Sequence, residues 1–263
     1  MESVEPLRQM GYVMRVLIAC EYSGTVREAF RALGHDAWSC DLLPTEKPGL
    51  HYEGDVTVLL EGWTPVRFSA DCDAEGGGLC VLTDTDVGEC PCYGPTQDGL
   101  EYRETEDGLF ARPLDAPHWD LMIAHPPCTY LASSGLHWNK RIPGREALTE
   151  QALAFVMALA NAPIPRIAIE NPIGALSSRW RKPDQIIQPW EYGEDASKAT
   201  CLWLKGLPKL VPTNVLPGGK KARRGNQTPS GQNKLGPSPD RWKERSRTYQ
   251  GIADAMAAQW GIF

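Results

Sequence analysis

The chain has 263 residues, of which 42% are hydrophobic and 23% charged, and its net charge is −6. This length and composition predict a folded globular protein and exclude a wholly disordered chain, a collagen-like repeat and a coiled coil. No apolar run reaches the roughly 18 residues of a membrane span, and the N-terminal stretch lacks the apolar core of a signal peptide. Eight cysteines without a disulfide-like spacing favour a reduced, cytoplasmic setting.

The N-terminal part of the chain alternates between strand and helix patterns. Residues 14–20 are an apolar run of strand length, and apolar residues then recur at helical spacing from Val26 until Gly34. A second strand is predicted over 35–40 and ends at Asp41. A strand, a tight loop, a helix and a strand in this order predict the start of a parallel α/β sheet.

The same alternation returns in the second half of the chain. Residues 119–124 predict a buried strand, which His125-Pro126-Pro127-Cys128 interrupts. An amphipathic helix follows, and residues 166–170 predict a further strand that Asn171-Pro172 closes. Together these patterns predict an open, Rossmann-like α/β sheet, with a last helix over 251–260.

Two stretches interrupt the alternation and define the predicted organisation. The first is glycine-rich, holds four cysteines and has, over 69–107, eleven acidic residues against one basic residue. The second is rich in proline, glycine and tryptophan and has, over 218–247, nine basic residues against two acidic ones. We therefore predict five segments: the first half of the α/β domain at 14–63, an acidic Cys-rich insertion at 64–117, the second half at 118–176, a small irregular basic lobe at 177–247 and a returning C-terminal helix at 248–263.

Polar residues at the first strand ends mark a candidate site, because ligands of doubly wound sheets bind beyond the carboxyl ends of the strands. The first strand runs into Glu21-Tyr22-Ser23-Gly24, where Gly24 permits a close backbone approach and a helix N-terminus follows. Asp41 ends the second strand and Asp55 follows further on, and an acid there can accept hydrogen bonds from a ribose. Each of these residues is equally typical of an ordinary turn or cap.

The ends of the next two predicted strands carry Cys128 and Glu170. Two prolines place Cys128 on a stiff, extended loop. Because parallel strands lie about 4.8 Å apart, neighbouring strand ends can bring a thiol and a carboxyl into one site. Such a pair suits nucleophilic addition to an electron-poor heterocycle, although either residue alone is more often structural.

At these strand ends the sequence resembles the DNA cytosine-5 methyltransferases. His125-Pro-Pro-Cys128 and Ile169-Glu-Asn-Pro172 are similar to the family's Pro-Cys nucleophile loop and Glu-Asn turn, and they follow a cofactor loop and acidic residues in the family's order. Arg247-Thr248 and Gly251-Ile-Ala-Asp-Ala255 resemble its closing motifs. The resemblance is closest to compact, divergent members from phage and prophage sequences, and it implies the sheet of an S-adenosylmethionine-dependent methyltransferase.

The resemblance implies a role for each matching residue. Cys128 would attack carbon 6 of a cytosine flipped out of DNA, Glu170 would contact or protonate ring nitrogen 3, and Asn171 would fix the cysteine loop or Glu170. Carbon 5 would then take a methyl group from S-adenosylmethionine. Arg245-Ser-Arg247 is a partial stand-in for the family's Gln-x-Arg-x-Arg motif, which assists the base. The implied cofactor contacts are Glu21, Tyr22, Ser23, Gly24, Asp41, Asp55 and Pro126.

Two further groups of residues are candidates for binding. The basic lobe would recognise the DNA target, with phosphate contacts from Lys220, Lys221, Arg223 and Arg224. Four thiols of the insertion could close a structural zinc site, or could be free thiols in a surface loop. They are Cys72, Cys80, Cys90 and Cys92.

The chain departs from the family's pattern in three places. The first motif has one glycine where two are usual, Thr129 follows the cysteine where glutamine is common, and no Gln-x-Arg-x-Arg motif is evident. Two alternatives therefore stay open: a methyltransferase that acts on an exocyclic amine of DNA, and a non-catalytic DNA-binding relative of the same fold. The oligomeric state is not predicted.

Overall fold

A computed structural model describes residues 12–65, 100–105, 108–113 and 119–262. The four cysteines of the candidate zinc site all lie outside these residues. Within the described ranges, no group of three or more His, Cys, Asp or Glu side chains could hold a metal ion. No helix in the same ranges has the length and apolar character to cross a membrane.

Ten strands and six α-helices make up the regular structure of the described ranges. The strands are β1 Arg15–Ala19, β2 Asp36–Asp41, β3 His51–Glu53, β4 Thr64–Pro65, β5 Leu100–Thr105, β6 Gly108–Pro113, β7 Leu121–Ala124, β8 Arg166–Asn171, β9 Gln185–Ile187 and β10 Thr200–Lys205. The helices are α1 Thr25–Ala32, α2 Ser133–Leu136, α3 Arg145–Ala160, α4 Ala175–Arg179, α5 Arg241–Ser246 and α6 Gln250–Trp260. Short 3₁₀ helices lie at Val56–Leu59, His137–Lys140, Pro189–Glu191 and Gly219–Lys221.

Seven strands form the main sheet in the order β3-β2-β1-β7-β8-β10-β9. The first five are mutually parallel, and β10 runs antiparallel to both β8 and β9. Numbered along the chain within this sheet, the order is 3-2-1-4-5-7-6, which is the 3-2-1-4-5-6 order of dinucleotide-binding sheets with one reversed strand added. The predicted α/β class is confirmed as a mostly parallel, Rossmann-like sheet.

The segment predicted as a separate basic lobe contributes two strands to this sheet. Both β9 and β10 lie within 177–247, and the irregular part of that segment is residues 206–240. With three residues, β9 is too short for a periodic pattern to show in the sequence. The lobe is therefore continuous with the sheet.

Both faces of the sheet are buried, which explains why its central strands are continuous apolar runs. Along β1, Leu17 and Ala19 belong to the cluster that includes residues of α3, whereas Val16 and Ile18 belong to the cluster that includes residues of α1 and α6. The C-terminal helix α6 thus packs beside α1 and ends at the fully buried Trp260.

A small antiparallel sheet, β4-β6-β5, lies in the segment predicted as an insertion. Phe110 of β6 meets Tyr52 of β3 edge to face, with the ring centroids 5.5 Å apart. The buried Trp63 ring lies under the Arg112 guanidinium at 4.4 Å. These aromatic contacts attach the small sheet to the edge of the main one.

A fully buried arginine holds the long connection between β2 and β3. The Arg27 Nη1 donates to Ser39 Oγ at 2.8 Å and to Thr45 Oγ1 at 3.3 Å, and Nη2 donates to the carbonyls of Lys47 and Pro48 at 2.6 and 3.0 Å. One guanidinium therefore ties α1 to β2 and to the loop that borders the carboxyl end of the sheet.

We expect Arg27→Ala to lower the free energy of unfolding by roughly 3–5 kcal/mol, because it leaves several buried polar groups without a donor. Arg31→Ala on the same helix is the control. The Arg31 side chain is 24% exposed and lies 3.9 Å from Glu28, so its loss should cost less than about 1 kcal/mol. Urea unfolding followed by circular dichroism measures both values, and equal losses would contradict the structural role of Arg27.

Candidate active site

The loops that carry the sequence-predicted residues meet at the carboxyl edge of the sheet. The strand order reverses between the neighbouring strands β1 and β7, and a crevice at such a point is the usual ligand site of an open α/β sheet. Residues 20–24 follow β1, residues 125–128 follow β7, and Glu170 and Asn171 end β8.

The carboxylate of Glu21 occupies the N-terminus of α1. It is 4% exposed and accepts hydrogen bonds from the Val26 and Arg27 amides at 2.8 and 3.2 Å. The hydroxyl of Ser23 donates to the same carboxylate at 3.1 Å. A negative charge therefore already satisfies the amides that a bound phosphate would use in a dinucleotide site.

Two residues with left-handed backbone conformations give this loop its tight turn. Gly24 has φ 66° and precedes α1. Cys20, directly after β1, has φ 59° although it is not a glycine, and such a conformation is uncommon and carries strain in non-glycine residues. The turn brings the backbone of residues 20–24 close to the end of β2, where the Glu21 amide donates to the Cys40 carbonyl at 2.9 Å.

The two predicted acidic residues lie at the ends of the next two strands. Asp41, half-buried, accepts a hydrogen bond from the Leu43 amide at 3.0 Å, and burial raises the pKa of its carboxyl. Asp55 is exposed after β3, and its carboxylate caps the following 3₁₀ helix through the Thr57 amide at 2.9 Å. The negative charges of Asp41 and Asp55 both raise the pKa of the Cys20 thiol. The two carboxylates therefore lie on the same edge of the sheet as the β1 loop.

Helix α5 lies against the β1 loop. The hydroxyl of Tyr22 donates to the Lys243 carbonyl at 2.8 Å, and the rings of Tyr22 and Trp242 are 6.5 Å apart. The guanidinium of Arg247, which the resemblance placed beside the base, binds both carboxylate oxygens of Glu46 and also Glu244. The side chain of Arg247 therefore joins α5 to the loop after β2.

The cysteine loop is held from both sides. Pro126 is buried, and its carbonyl accepts a hydrogen bond from Asn171 Nδ2 at 2.8 Å. The carbonyl of Cys128 accepts from the amides of Leu131 and Ala132 at 3.0 and 2.9 Å. Asn171 thus connects the end of β8 to the loop after β7 and fixes the direction in which that loop leaves the sheet.

The carboxylate of Glu170 lies in a cationic pocket at the end of β8. Its Oε2 is 2.9 Å from His125 Nδ1. Burial raises the pKa of Glu170, but the positive charge of Lys198 and hydrogen bonds from His125 and Thr200 outweigh the burial and lower the pKa below its ordinary value. Glu170 is therefore ionised near neutral pH and acts as a hydrogen-bond acceptor.

Among the cysteines that the structure describes, Cys128 is exposed, whereas Cys40 and Cys201 are buried and Cys20 is half-buried. Partial burial of its sulfur raises the pKa of the thiol, and the negative charge of Glu170 raises it further. Lys198 and Arg245 act in the opposite direction and favour the thiolate. The charge of the Glu170 carboxylate thus opposes ionisation of the Cys128 thiol.

Sequence reasoning missed three residues of this site. His125 has no role in the motif that contains it, although its place at a strand end is the same signal that pointed to Cys128. Lys198 and Thr200 carry no such signal, because they come from the β9–β10 connection and from β10. Arg245, part of the stand-in for the family's arginine motif, lies on α5. Lys198 Nζ donates to the Arg247 carbonyl at 3.2 Å.

A narrow cleft lies directly beside the Glu170 carboxylate. Its volume is only about 10 Å³, and Lys198 and Thr200 line it together with residues of α6 and of the segment before it. The side-chain Nε2 of His125 and Oδ1 of Asn171 are buried nearby and have no hydrogen-bond partner among the described residues. Polar atoms of this kind can receive a polar ligand.

The four predicted phosphate contacts divide into two groups. Lys220, Lys221 and Arg223 are exposed on the irregular segment. Arg224 differs from its predicted role, because it is only 6% exposed, donates to the Gly219 carbonyl at 2.9 Å and lies 5.2 Å from the centre of the Trp190 ring. Its guanidinium stabilises the irregular segment and does not present a charge to solvent.

No model of a known protein family and no curated protein matches the chain. The chemistry of the site therefore follows from its own residues: a thiol, an ionised carboxylate and a lysine at adjacent strand ends, beside a loop in which a carboxylate fills a helix N-terminus.

The charges around Cys128 predict how fast its thiol is alkylated. Glu170→Gln removes a negative charge, lowers the pKa of Cys128 and should speed alkylation near pH 8 by a factor of about 3 to 10. Lys198→Met removes a positive charge and should slow it by a similar factor. Iodoacetamide labelling, with the Cys128 peptide quantified by mass spectrometry, measures both rates. Equal rates in the wild type and both variants would show that these charges do not reach the thiol.

Proposed function

We propose that the chain transfers a methyl group from S-adenosylmethionine to carbon 5 of cytosine in DNA, with Cys128 as the nucleophile. The observation that carries this proposal is the placement of Cys128 after β7 and of the largely buried Glu170 at the end of the neighbouring β8, where Asn171 holds the cysteine loop. The mostly parallel, Rossmann-like sheet is compatible with the proposal.

The site residues suit the two electronic demands of such a reaction. Addition of the Cys128 thiolate to carbon 6 pushes negative charge into the cytosine ring, toward nitrogen 3, oxygen 2 and carbon 5. The lysine beside Glu170 stabilises that charge. Transfer of the methyl group to carbon 5 would release S-adenosylhomocysteine. Loss of the carbon-5 proton to solvent would then expel the Cys128 thiolate from carbon 6 and restore the aromatic ring.

Glu170 would bind the exocyclic amine of cytosine in this reaction. An ionised carboxylate accepts a hydrogen bond from that amine, and this role follows from the lowered pKa of Glu170. A proton for ring nitrogen 3 would have to pass through His125, which contacts the same carboxylate. Binding of the amine also disperses the negative charge that opposes ionisation of Cys128.

The β1 loop fits S-adenosylmethionine better than a dinucleotide. The Glu21 carboxylate fills the N-terminus of α1 and would repel a pyrophosphate, whereas it suits a ligand with a positively charged amino group. Asp41 at the end of β2 is placed to accept hydrogen bonds from ribose hydroxyls, and Asp55 lies further along the same edge. When bound, the cofactor supplies an activated methyl group on a sulfonium.

The direct test is mass spectrometry of nucleosides from DNA incubated with the protein and S-adenosylmethionine. We expect 5-methylcytosine from the wild type and none from Cys128→Ala, because addition to carbon 6 needs the thiol. Thermal unfolding of the variant, unchanged from the wild type, is the control for folding. A covalent adduct with 5-fluorocytosine DNA should form with the wild type alone. A methyl group on an exocyclic amine that persists in Cys128→Ala would contradict the proposal.

The cofactor assignment has a separate test that needs no turnover. We expect Asp41→Asn to weaken binding of S-adenosylhomocysteine by about 10-fold or more, because a hydrogen bond to a charged group contributes roughly 1.5–3 kcal/mol. Glu53→Gln, at the exposed end of β3, is the matched control and should leave the affinity unchanged. Isothermal titration calorimetry measures both, and tighter binding of NAD than of S-adenosylhomocysteine would contradict the assignment.

A further inference from the structure

An aromatic and basic surface begins directly after Cys128. Residues 129–145 hold Lys140, Arg141 and Arg145 and no acidic residue. They form α2, the 3₁₀ helix that follows it and the turn into α3. This stretch lies outside the basic lobe that the sequence singled out for DNA.

The rings and cations of this surface lie within about 6 Å of one another in two groups. His137 and Trp138 have ring centroids 4.8 Å apart, and the guanidinium carbon of Arg141 is 5.5 Å from the centre of the Trp138 ring. Nearer to Cys128, the guanidinium carbon of Arg145 is 4.9 Å from the centre of the Tyr130 ring. We call this group of five residues the stacking face: Tyr130, His137, Trp138, Arg141 and Arg145.

Trp138 presents a large part of its indole to solvent. It is 43% exposed, and the neighbouring Ile142 is 46% exposed. An exposed tryptophan beside guanidinium groups offers both a flat surface for a nucleobase and a positive charge for the adjoining phosphate.

Hydrogen bonds hold the stacking face in place before any ligand binds. The fully buried Thr149 donates to the Tyr130 carbonyl at 3.1 Å, and Asn139 Nδ2 donates to Thr149 Oγ1 at 2.8 Å. Arg145 Nη2 donates to the Thr129 carbonyl at 3.2 Å, next to Cys128. The face is therefore fixed to the start of α3 and to the cysteine loop, which lowers the ordering cost of binding.

Nearby negative charges are already paired. Glu146 and Glu150, the acids of α3 closest to this surface in sequence, bind Arg179 at 2.8 and 2.7 Å. Arg179 of α4 offsets one of these two negative charges, so Lys140, Arg141 and Arg145 still leave a net positive charge on this surface to face a polyanion.

We propose that the stacking face binds unpaired DNA bases next to the cytosine that enters the site. The proposal rests on the proposed function for its placement, since a base at Cys128 has left its stack and its neighbours have lost a stacking partner. Within an intact duplex the faces of the bases are covered, so an exposed indole gains contact only where the strand is unpaired. Specific reading of base edges plays no part in this contact.

The test compares the binding of fluorescein-labelled oligonucleotides of one sequence as single-stranded DNA, duplex DNA and single-stranded RNA. We expect Trp138→Ala to weaken binding of single-stranded DNA on the order of 10-fold, with a much smaller effect on the duplex. Tyr12→Ala removes an aromatic side chain that is 62% exposed and bonded to Asp120, beside the first residues of β1 and β7, and should leave all affinities unchanged. Arg141→Gln should reduce the salt dependence of single-strand binding by about 0.7 in logarithmic slope.

Each other outcome overturns the proposal. An equal loss on single-stranded and duplex DNA would make the face a general phosphate contact, and a larger loss on RNA would make RNA the partner. An unchanged affinity, with Trp138→Ala converting a dimer to a monomer in sedimentation, would assign the face to a second copy of the chain. Because binding is measured without cofactor and with Cys128 intact, a failure to detect methylation would leave the binding result standing.

Discussion

The candidate site depends on one buried carboxylate and on the groups that keep it ionised. A carboxylate at the end of a central strand is costly to bury unless cations and donors surround it. Glu170 has His125 from the end of β7, Lys198 from the connection before β10, and Thr200 from β10 itself. Those three partners come from three parts of the chain, so the charge of Glu170 brings the cysteine loop and the reversed strand to the same pocket.

A second carboxylate organises the neighbouring crevice in a different way. Glu21 binds the first amides of α1 and thereby replaces the anion that a Rossmann-like sheet commonly binds at this position. Arg27, whose amide is one of the two that Glu21 binds, fixes through its guanidinium the loop that borders the same crevice. The donors at this edge are thus largely satisfied within the chain, which supports the proposal of a ligand without phosphate there.

Sequence patterns predicted the sheet and the meeting of Cys128 with Glu170, because both residues directly follow buried apolar runs and parallel strands end at one edge. The same patterns could not predict Lys198, which reaches the pocket from the connection before the antiparallel strand β10, in a segment without periodicity. They also could not separate Arg224 from its exposed neighbours, since a run of basic residues does not reveal which guanidinium lies against a tryptophan. Local sequence patterns predict helices and strands, whereas the partners of a charged side chain depend on contacts between residues that are far apart in the sequence.

Residue 247 links the two ligand crevices through different atoms. Its guanidinium holds Glu46 beside the β1 loop, while its backbone carbonyl accepts the Lys198 ammonium that faces Glu170. Under the proposed function, with a cofactor at one crevice and a base at the other, a ligand that moves this segment at one crevice would alter the charge environment at the other. By thermodynamic reciprocity, each occupant would then change the affinity of the other by the same factor.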